Sequence, residues 1–454
     1  MKKQFSVLLM TGLLIAPTLL VNAQGTALKE VKKYEIDMDQ ELYVPYAGDT
    51  EGFTEGFVTG FGSAITFKGL DEDGNPEFWG LTDRGPNADA PEVKKSEEET
   101  FSSKIFPSPD FTPSIGLISM KDDKATVVES MTLKDSEGKD ITGLPVEPDS
   151  VGFSGEIALS ETMEDLGNDV NGKDPEGIAV DKDGNFWISD EYGPFMTQYD
   201  KDGKELKRLA PGEGLPEILA DRIPNRGFEG LTITPSGKVV ASVQSVLDVD
   251  GESAKTALFT RVVEYDPETE EVRMFAYPVA TEDYEKPKDC KVGDIYAISD
   301  EKFLAIEQGK SANGDMQNRI YTFDISQATD LTDKDMDGKA LEFAETVDDI
   351  EDIKFGVKEE LIDLRGEGWI AEKAEGLVLF NDNKSLAIIN DNDFGIKTVT
   401  EDPDTEDADI TDYLYDFENK TYTLEDKEAN PSISIAANEE KSELWILEFE
   451  EAIE

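Results

Sequence analysis

The feature that most constrains this chain is a hairpin that recurs. Glu176-Gly177-Ile178-Ala179-Val180 leads through a turn to Asn185-Phe186-Trp187-Ile188-Ser189-Asp190-Glu191. Glu229-Gly230-Leu231-Thr232-Ile233 leads through Pro235-Ser236-Gly237 to Val239-Val240-Ala241-Ser242. Glu375-Gly376-Leu377-Val378-Leu379 leads to Leu386-Ala387-Ile388-Ile389-Asn390-Asp391. Two weaker copies run from Gly62-Ser63-Ala64-Ile65 to Phe78-Trp79-Gly80-Leu81-Thr82-Asp83, and from Gly293-Asp294-Ile295-Tyr296-Ala297 to Phe303-Leu304-Ala305-Ile306-Glu307. Short β-branched and aromatic runs bounded by Asp-Gly and Asn-rich turns read as strands. No long segment carries the 3.6-residue period of a helix. A repeated unit of this size buries its apolar face only against its own copies.

Each hairpin is followed by another strand pair, as in Thr197-Gln198-Tyr199-Asp200 and Glu205-Leu206-Lys207-Arg208-Leu209. Four strands per irregular repeat is the blade of a β-propeller, so the expected fold is all-β, a propeller occupying residues 24–454. Five hairpins are visible. The C-terminal pair Ser432-Ile433-Ser434-Ile435 and Leu444-Trp445-Ile446-Leu447 adds a sixth, closed by the N-terminal strand around Tyr34-Glu35-Ile36. Six four-stranded blades are therefore expected, with five and seven as alternatives. Residues 84–113 and 400–412 read as long loops over one face.

In a propeller the first strand of each blade lines a central channel, and the second strand ends at the mouth where the first begins. That places Glu176, Glu229, Asp294 and Glu375 beside Asp83, Asp190, Glu191, Glu307 and Asp391 at one small ring. Like charges so close need a cation or protons to neutralise them. Ligands that are all oxygen favour calcium over zinc or copper. Glu176, Glu229, Asp294, Glu307, Glu375, Asp391, Asp83 and Asp190 are the metal-ligand candidates. The competing reading is that each Glu-Gly only marks strand entry, the Glu bonding a neighbouring amide. Arg84, Arg226 and Lys310 fall near the same ring and suit an anion, or else pair with nearby carboxylates. Arg84, Arg226 and Glu191 form the catalytic set. Asp333-Lys334-Asp335-Met336-Asp337-Gly338 has the opening spacing of a calcium loop, but Ala344 stands at the twelfth position, where such loops carry a bidentate Glu. It reads as a structural calcium loop or as an exposed acidic turn.

Composition then narrows the chemistry. The 454 residues carry 101 Asp+Glu against 43 Lys+Arg, a formal net charge of −58, with one cysteine and no histidine. Phosphate backbones would be repelled, so nucleic acid is not an expected partner. Cys290 alone cannot form an internal disulfide and is expected to be small, partly buried and non-catalytic. Histidine-based nucleophilic catalysis is excluded. Any general acid or base must be Asp, Glu, Lys, Tyr or a metal-bound water. The acidic surface suits a salty medium. Lys2 and Lys3, the apolar run Phe5 to Val21 and the small-residue site Val21-Asn22-Ala23 read as a signal peptide over residues 1–23. No later stretch is apolar enough to span a membrane, so a secreted or extracytoplasmic monomer is expected.

Asp83-Arg84-Gly85-Pro86-Asn87, Asp174-Pro175-Glu176-Gly177, Asn225-Arg226-Gly227-Phe228-Glu229-Gly230 and Lys373-Ala374-Glu375-Gly376 resemble the motifs of the phytase-like family, the esterase-like activity of phytase domain. The resemblance runs from about Gly52 to Asp393. It implies a propeller and a calcium-assisted hydrolysis of phosphate esters, with a small-molecule phosphate ester as substrate. Gly62-Ser63 and Gly293-Asp294 depart from the Glu-Gly pattern, which bears on a uniform ring of ligands. The alternatives are a calcium-dependent lactonase or carboxyl esterase on the same kind of propeller, and a non-catalytic binding propeller.

Overall fold

The computed structural model describes residues 27–454 except 97–98, 281–282, 406–407 and 439; the expected signal peptide lies outside the described residues. Five four-stranded antiparallel units follow one another along the chain; Leu28–Met38 joins the first and fifth into one eight-stranded sheet, and Gly214–Leu215 adds a short parallel strand to the second. The first comprises Ala64–Leu70, Pro76–Leu81, Ser114–Lys121 and Lys124–Thr132. The second comprises Pro175–Val180, Phe186–Asp190, Phe195–Tyr199 and Glu205–Pro211. The third comprises Phe228–Ile233, Val239–Val243, Phe259–Tyr265 and Val272–Pro278. The fourth comprises Lys291–Ala297, Lys302–Lys310, Met316–Asp324 and Val357–Asp363. The fifth is built from Gly376–Phe380, Ser385–Ile389, Glu443–Phe449 and, from the other end of the chain, Leu28–Met38. Among the described residues the only helices are short 3₁₀ turns.

The first strands close into a ring. Ser63 Oγ donates to Pro175 O at 2.9 Å, Ser189 Oγ to Glu229 O at 2.7 Å, and Ser242 Oγ to Gly293 O at 3.1 Å. Leu377 N donates to Asp294 Oδ2 at 2.8 Å. The glycines of the Glu-Gly pairs explain why the repeat has its form. A Cβ on Gly177 would lie 2.5 Å from Leu231 N, on Gly230 2.4 Å from Ile295 N, and on Gly376 2.7 Å from Ile65 N. Neighbouring first strands approach so closely at the axis that a side chain there would collide with backbone. Between blades the core is apolar, as where Trp187, Phe228, Leu231 and Val263 pack together.

The blade count departs from the expected six: the described residues form five. Glu443–Phe449 is the third strand of the fifth blade, with Leu28–Met38 outside it. The N-terminal strand does close a blade beside Leu444–Leu447, but the fifth and not a sixth, and Ile36, Asp37 and Met38 also pair in parallel with Ala125, Thr126 and Val127, which stitches the fifth blade to the first. Ser432–Ala437 pairs instead with Ile396–Glu401, outside the ring. The reason lies in burial. Leu444 to Leu447 is covered on both faces and fits inside a blade, whereas Ser432–Ala437 is mostly uncovered and fits a small peripheral sheet.

Residues 84–113 are not only loops, and the strand Tyr413–Asp416 follows directly on 400–412. Glu92–Lys94 and Thr100–Ile105 pair with each other, and Glu92–Lys94 pairs in parallel with Tyr413–Asp416. Glu156–Leu159 joins Thr100–Ile105 in parallel. These insertions from the first and fifth blades build a small cap beside the ring.

Candidate functional site

A cavity of about 760 Å³ opens where the first strands begin. Asn87, Lys104 and Ser154 of the cap side form one wall, and Arg226, Lys291 and Lys310 of the third and fourth blades line the cavity as well. Of the expected site residues, Asp83, Arg84, Glu176, Glu191, Arg226, Glu229, Lys310 and Glu375 line it. The repeat therefore brings glutamates of the second, third and fifth blades together, because each stands at the mouth end of a first strand.

Asp174, Glu176 and Glu191 present carboxylate oxygens that all lie within 4.8 Å of one another. Asp174 was missed by the repeat, because it precedes Pro175 and so falls just outside the hairpin. Its place in the family-like motif Asp174-Pro175-Glu176-Gly177 was the signal available. Glu176 Oε2 accepts from Ser63 Oγ at 2.5 Å. Glu191 Oε1 and Glu229 Oε2 both accept from Gln244 Nε2 at 2.7 Å, and Glu191 Oε2 accepts from Asn225 Nδ2 at 3.1 Å. Glu375 Oε2 accepts from Gln308 Nε2 at 3.2 Å.

This much carboxylate in one buried place holds protons. Burial, reinforced by the charge of Asp174, pushes Glu191 up to about 8. Burial, opposed by the Lys373 ammonium, holds Glu375 at about 7. Burial raises Glu176 and Glu229 well above the usual carboxylate range, with neighbouring carboxylates adding to the effect. Asp83 is raised in the same way, by burial and then by Asp391 and Asp174. The donor set is all oxygen, and its carboxyls become anionic as a cation displaces their protons, which fits a calcium-like cation held by Asp174, Glu176 and Glu191.

The other expected ligands go elsewhere. Asp294 lies level with Gly230, one residue deeper than Glu229: a Cβ on Gly230 would meet its Cα at 2.5 Å. It accepts from the amides of Ile295 and Leu377 at 2.8 Å each and ties adjacent first strands together. Glu307 points to the opposite face of its strand from the cavity-lining Gln308. There it accepts from Tyr277 Oη at 3.0 Å, Tyr284 Oη at 3.2 Å and the Lys358 ammonium. Asp190 sits behind the mouth, 3.5 Å from Lys173 Nζ; burial raises its carboxyl to about 6. Asp391 accepts from Lys373 Nζ at 2.8 Å in a polar cleft that adjoins the cavity.

The cations divide into two kinds. Arg84 is buried and paired: Nη1 donates to Glu156 Oε2 at 2.6 Å, Nε lies 3.5 Å from Asp174 Oδ2, and its backbone amide donates to Asp174 Oδ1 at 3.1 Å. It is a strut for Asp174. Arg226 is half-buried and donates from Nη1 to Lys288 O at 2.6 Å and Ser245 Oγ at 3.4 Å, with no carboxylate in ion-pair reach among the described residues. Lys291 was not anticipated. It too has no ion-pair partner among the described residues, and its charge lowers Glu191, Glu229 and Glu375 against burial. Nothing in the hairpin pattern distinguishes it from a surface lysine.

Two further features lie away from the cavity, and Cys290 is more deeply buried than the partial burial expected of it. Asp333, Asp335 and Asp337 are exposed, and Asp335 Oδ1 accepts from Gly338 N at 2.7 Å, which makes the segment a turn. Cys290 is fully buried.

The family model described as phytase-like, esterase-like activity of phytase, matches residues 58–394. A protein of Arthroderma benhamiae named an uncharacterized secreted protein is 28% identical over 265 residues, 48% of this chain; the chain spans about half of that relative's length (49%). Among solved structures, a protein of unknown function from Dyadobacter fermentans is 10% identical with a TM-score of 0.34, covering 93% of this chain and 99% of that one. Virginiamycin B lyase from Staphylococcus aureus is 9% identical with a TM-score of 0.29, covering 92% and 99%. Likenesses this weak carry no argument, and the propeller rests on its own strand pairing. No helix of the described residues is long and apolar enough to cross a membrane.

Proposed function

The chain belongs to the phytase-like family, and on that premise we propose that it is a secreted, calcium-dependent phosphoesterase acting on a small-molecule phosphate ester at the mouth of the ring. The observation that carries this reading is the meeting of Asp174, Glu176 and Glu191 in one cavity with Arg226 and Lys291, two cations without an ion-pair partner among the described residues. Such a mouth suits an anion held against a bound cation.

Asp174, Glu176 and Glu191 would hold calcium, which when bound supplies positive charge to the phosphoryl oxygens and acidifies water. Arg226 and Lys291 bind and orient the anionic oxygens of the ester through charge-assisted hydrogen bonds. Arg84 keeps Asp174 in place and does not reach substrate. With no histidine in the chain, proton movement falls to a carboxyl group. Glu375, held at about 7, is poised to take a proton near neutral pH.

The cavity wall is charged and polar where the lactonase or carboxyl-esterase alternative calls for an apolar, roofed mouth, so the phosphoester reading is the better supported. The leader-like N-terminus and the name of the Arthroderma benhamiae relative support export. The net charge of −58 argues against a nucleic-acid partner, and we take the protein to act as a monomer. The test is a panel of phosphate monoesters, diesters, lactones and carboxyl esters, with calcium and with chelator. Calcium-dependent release of phosphate supports the proposal; turnover of lactones or carboxyl esters alone replaces it.

A further inference from the structure

Glu191 is gripped by two side-chain amides, one on each oxygen. Gln244 Nε2 donates to Oε1 at 2.7 Å and Asn225 Nδ2 donates to Oε2 at 3.1 Å. The Gln244 nitrogen also reaches Glu229 Oε2 at 2.7 Å. Once a bound cation has displaced their protons, Glu191 and Glu229 only accept, so each amide must turn its nitrogen toward Glu191. That fixes where the other end of each amide goes. Gln244 Oε1 and Asn225 Oδ1 are buried, and neither has a hydrogen-bond partner among the described residues. Both residues line the cavity.

The local structure is built for this. Gln244 follows the strand Val239–Val243 directly and is 4% exposed. Asn225 sits in the left-handed region at φ 55°, in a turn closed by Arg226 N donating to Ile223 O. Asn tolerates that conformation better than most residues. Buried polar atoms are rarely left without partners, and two such acceptors flank one carboxylate here.

We infer that Asn225 and Gln244 complete the cation site and set its preference for calcium over magnesium, an inference that rests on the proposed reading of the cavity. A ligand hydroxyl would satisfy one acceptor at a time. A cation satisfies neutral and charged oxygens together. The two carbonyl oxygens add ligands without adding charge to a cluster already crowded with it. Calcium takes six to eight oxygens in flexible geometry, whereas magnesium demands a tight octahedron and keeps its waters. The same amides position Glu191 while leaving a lone pair free on each of its oxygens.

The test is calorimetric titration of the chelator-treated full chain with calcium chloride and with magnesium chloride. The variants are Gln244→Leu and Asn225→Gly; glycine preserves the left-handed turn while removing the amide. Near-UV circular dichroism checks that each variant folds, and Asn225→Gly carries the test if Gln244→Leu does not fold. Each variant is expected to weaken calcium by roughly tenfold or more, the scale of losses seen around metal ligands, and to weaken magnesium less. Equal losses for both ions would overturn the selectivity role. Unchanged calcium affinity in both variants would overturn the inference while the carboxylate site stands. If the wild-type chain takes up no calcium, the proposed reading falls and this inference falls with it.

Discussion

Arg84 and Glu156 form a buried ion pair, Nη1 to Oε2 at 2.6 Å, that joins the mouth of the ring to a strand of the cap. The same guanidinium leans on Asp174. Removing one partner leaves the other charge buried and unpaired, which typically costs about 3–5 kcal/mol. Arg84→Ala is therefore expected to lower stability by an amount of that order, read from denaturant midpoints. A variant of unchanged stability that only raised KM would show Arg84 to be a substrate ligand instead.

Arg226 makes the contrasting prediction. It bonds a carbonyl and a hydroxyl, and no carboxylate among the described residues. Arg226→Ala should leave the unfolding curve nearly in place and lower kcat/KM for phosphate esters by about 1.5–3 kcal/mol, the range for a hydrogen bond to a charged group. Arg226→Lys should recover part of the loss, since lysine restores a charge but not the planar fork.

The glutamates predict a pH dependence. Glu375 and Glu191 titrate at about 7 and about 8 in the folded chain against 4.5 when unperturbed. The folded state therefore binds protons more tightly than the unfolded state. Stability contributed by these groups is present at low pH and falls as pH rises from about 4.5 to about 8. In chelator, the melting temperature should drop across that window. Calcium should flatten the drop by replacing the protons, with proton release on binding. A melting temperature that rises through the window in chelator would contradict the assignment.

Asp294 tests the boundary of the site. Because it accepts backbone amides from two first strands, Asp294→Asn should cost about 1–3 kcal/mol of stability through a mispaired buried group. Calcium affinity should not change, as titration would show.

Much of this was legible in the residues. The Glu-Gly pairs located the first strands because glycine is forced where neighbouring strands meet, and glutamate is placed where they begin. Asp294 and Glu307 misled for geometric reasons. A one-residue offset sank Asp294 below the mouth, and strand alternation turned Glu307 away while Gln308 faced inward. Gln244, Gln308 and Asn225 were invisible to a search for charge, although they hold the carboxylates in place. The fifth blade was obscured because its third and fourth strands come from opposite ends of the chain.

The most direct test of the central claim is the rate of phosphate release from a phosphate monoester as free calcium is raised over the chelator-treated protein, for the wild type and for Glu176→Gln. The account predicts a rate that rises from baseline and saturates with calcium. Glu176→Gln should shift that curve to higher calcium by roughly tenfold. A rate independent of calcium, or a curve that Glu176→Gln leaves in place, would contradict it.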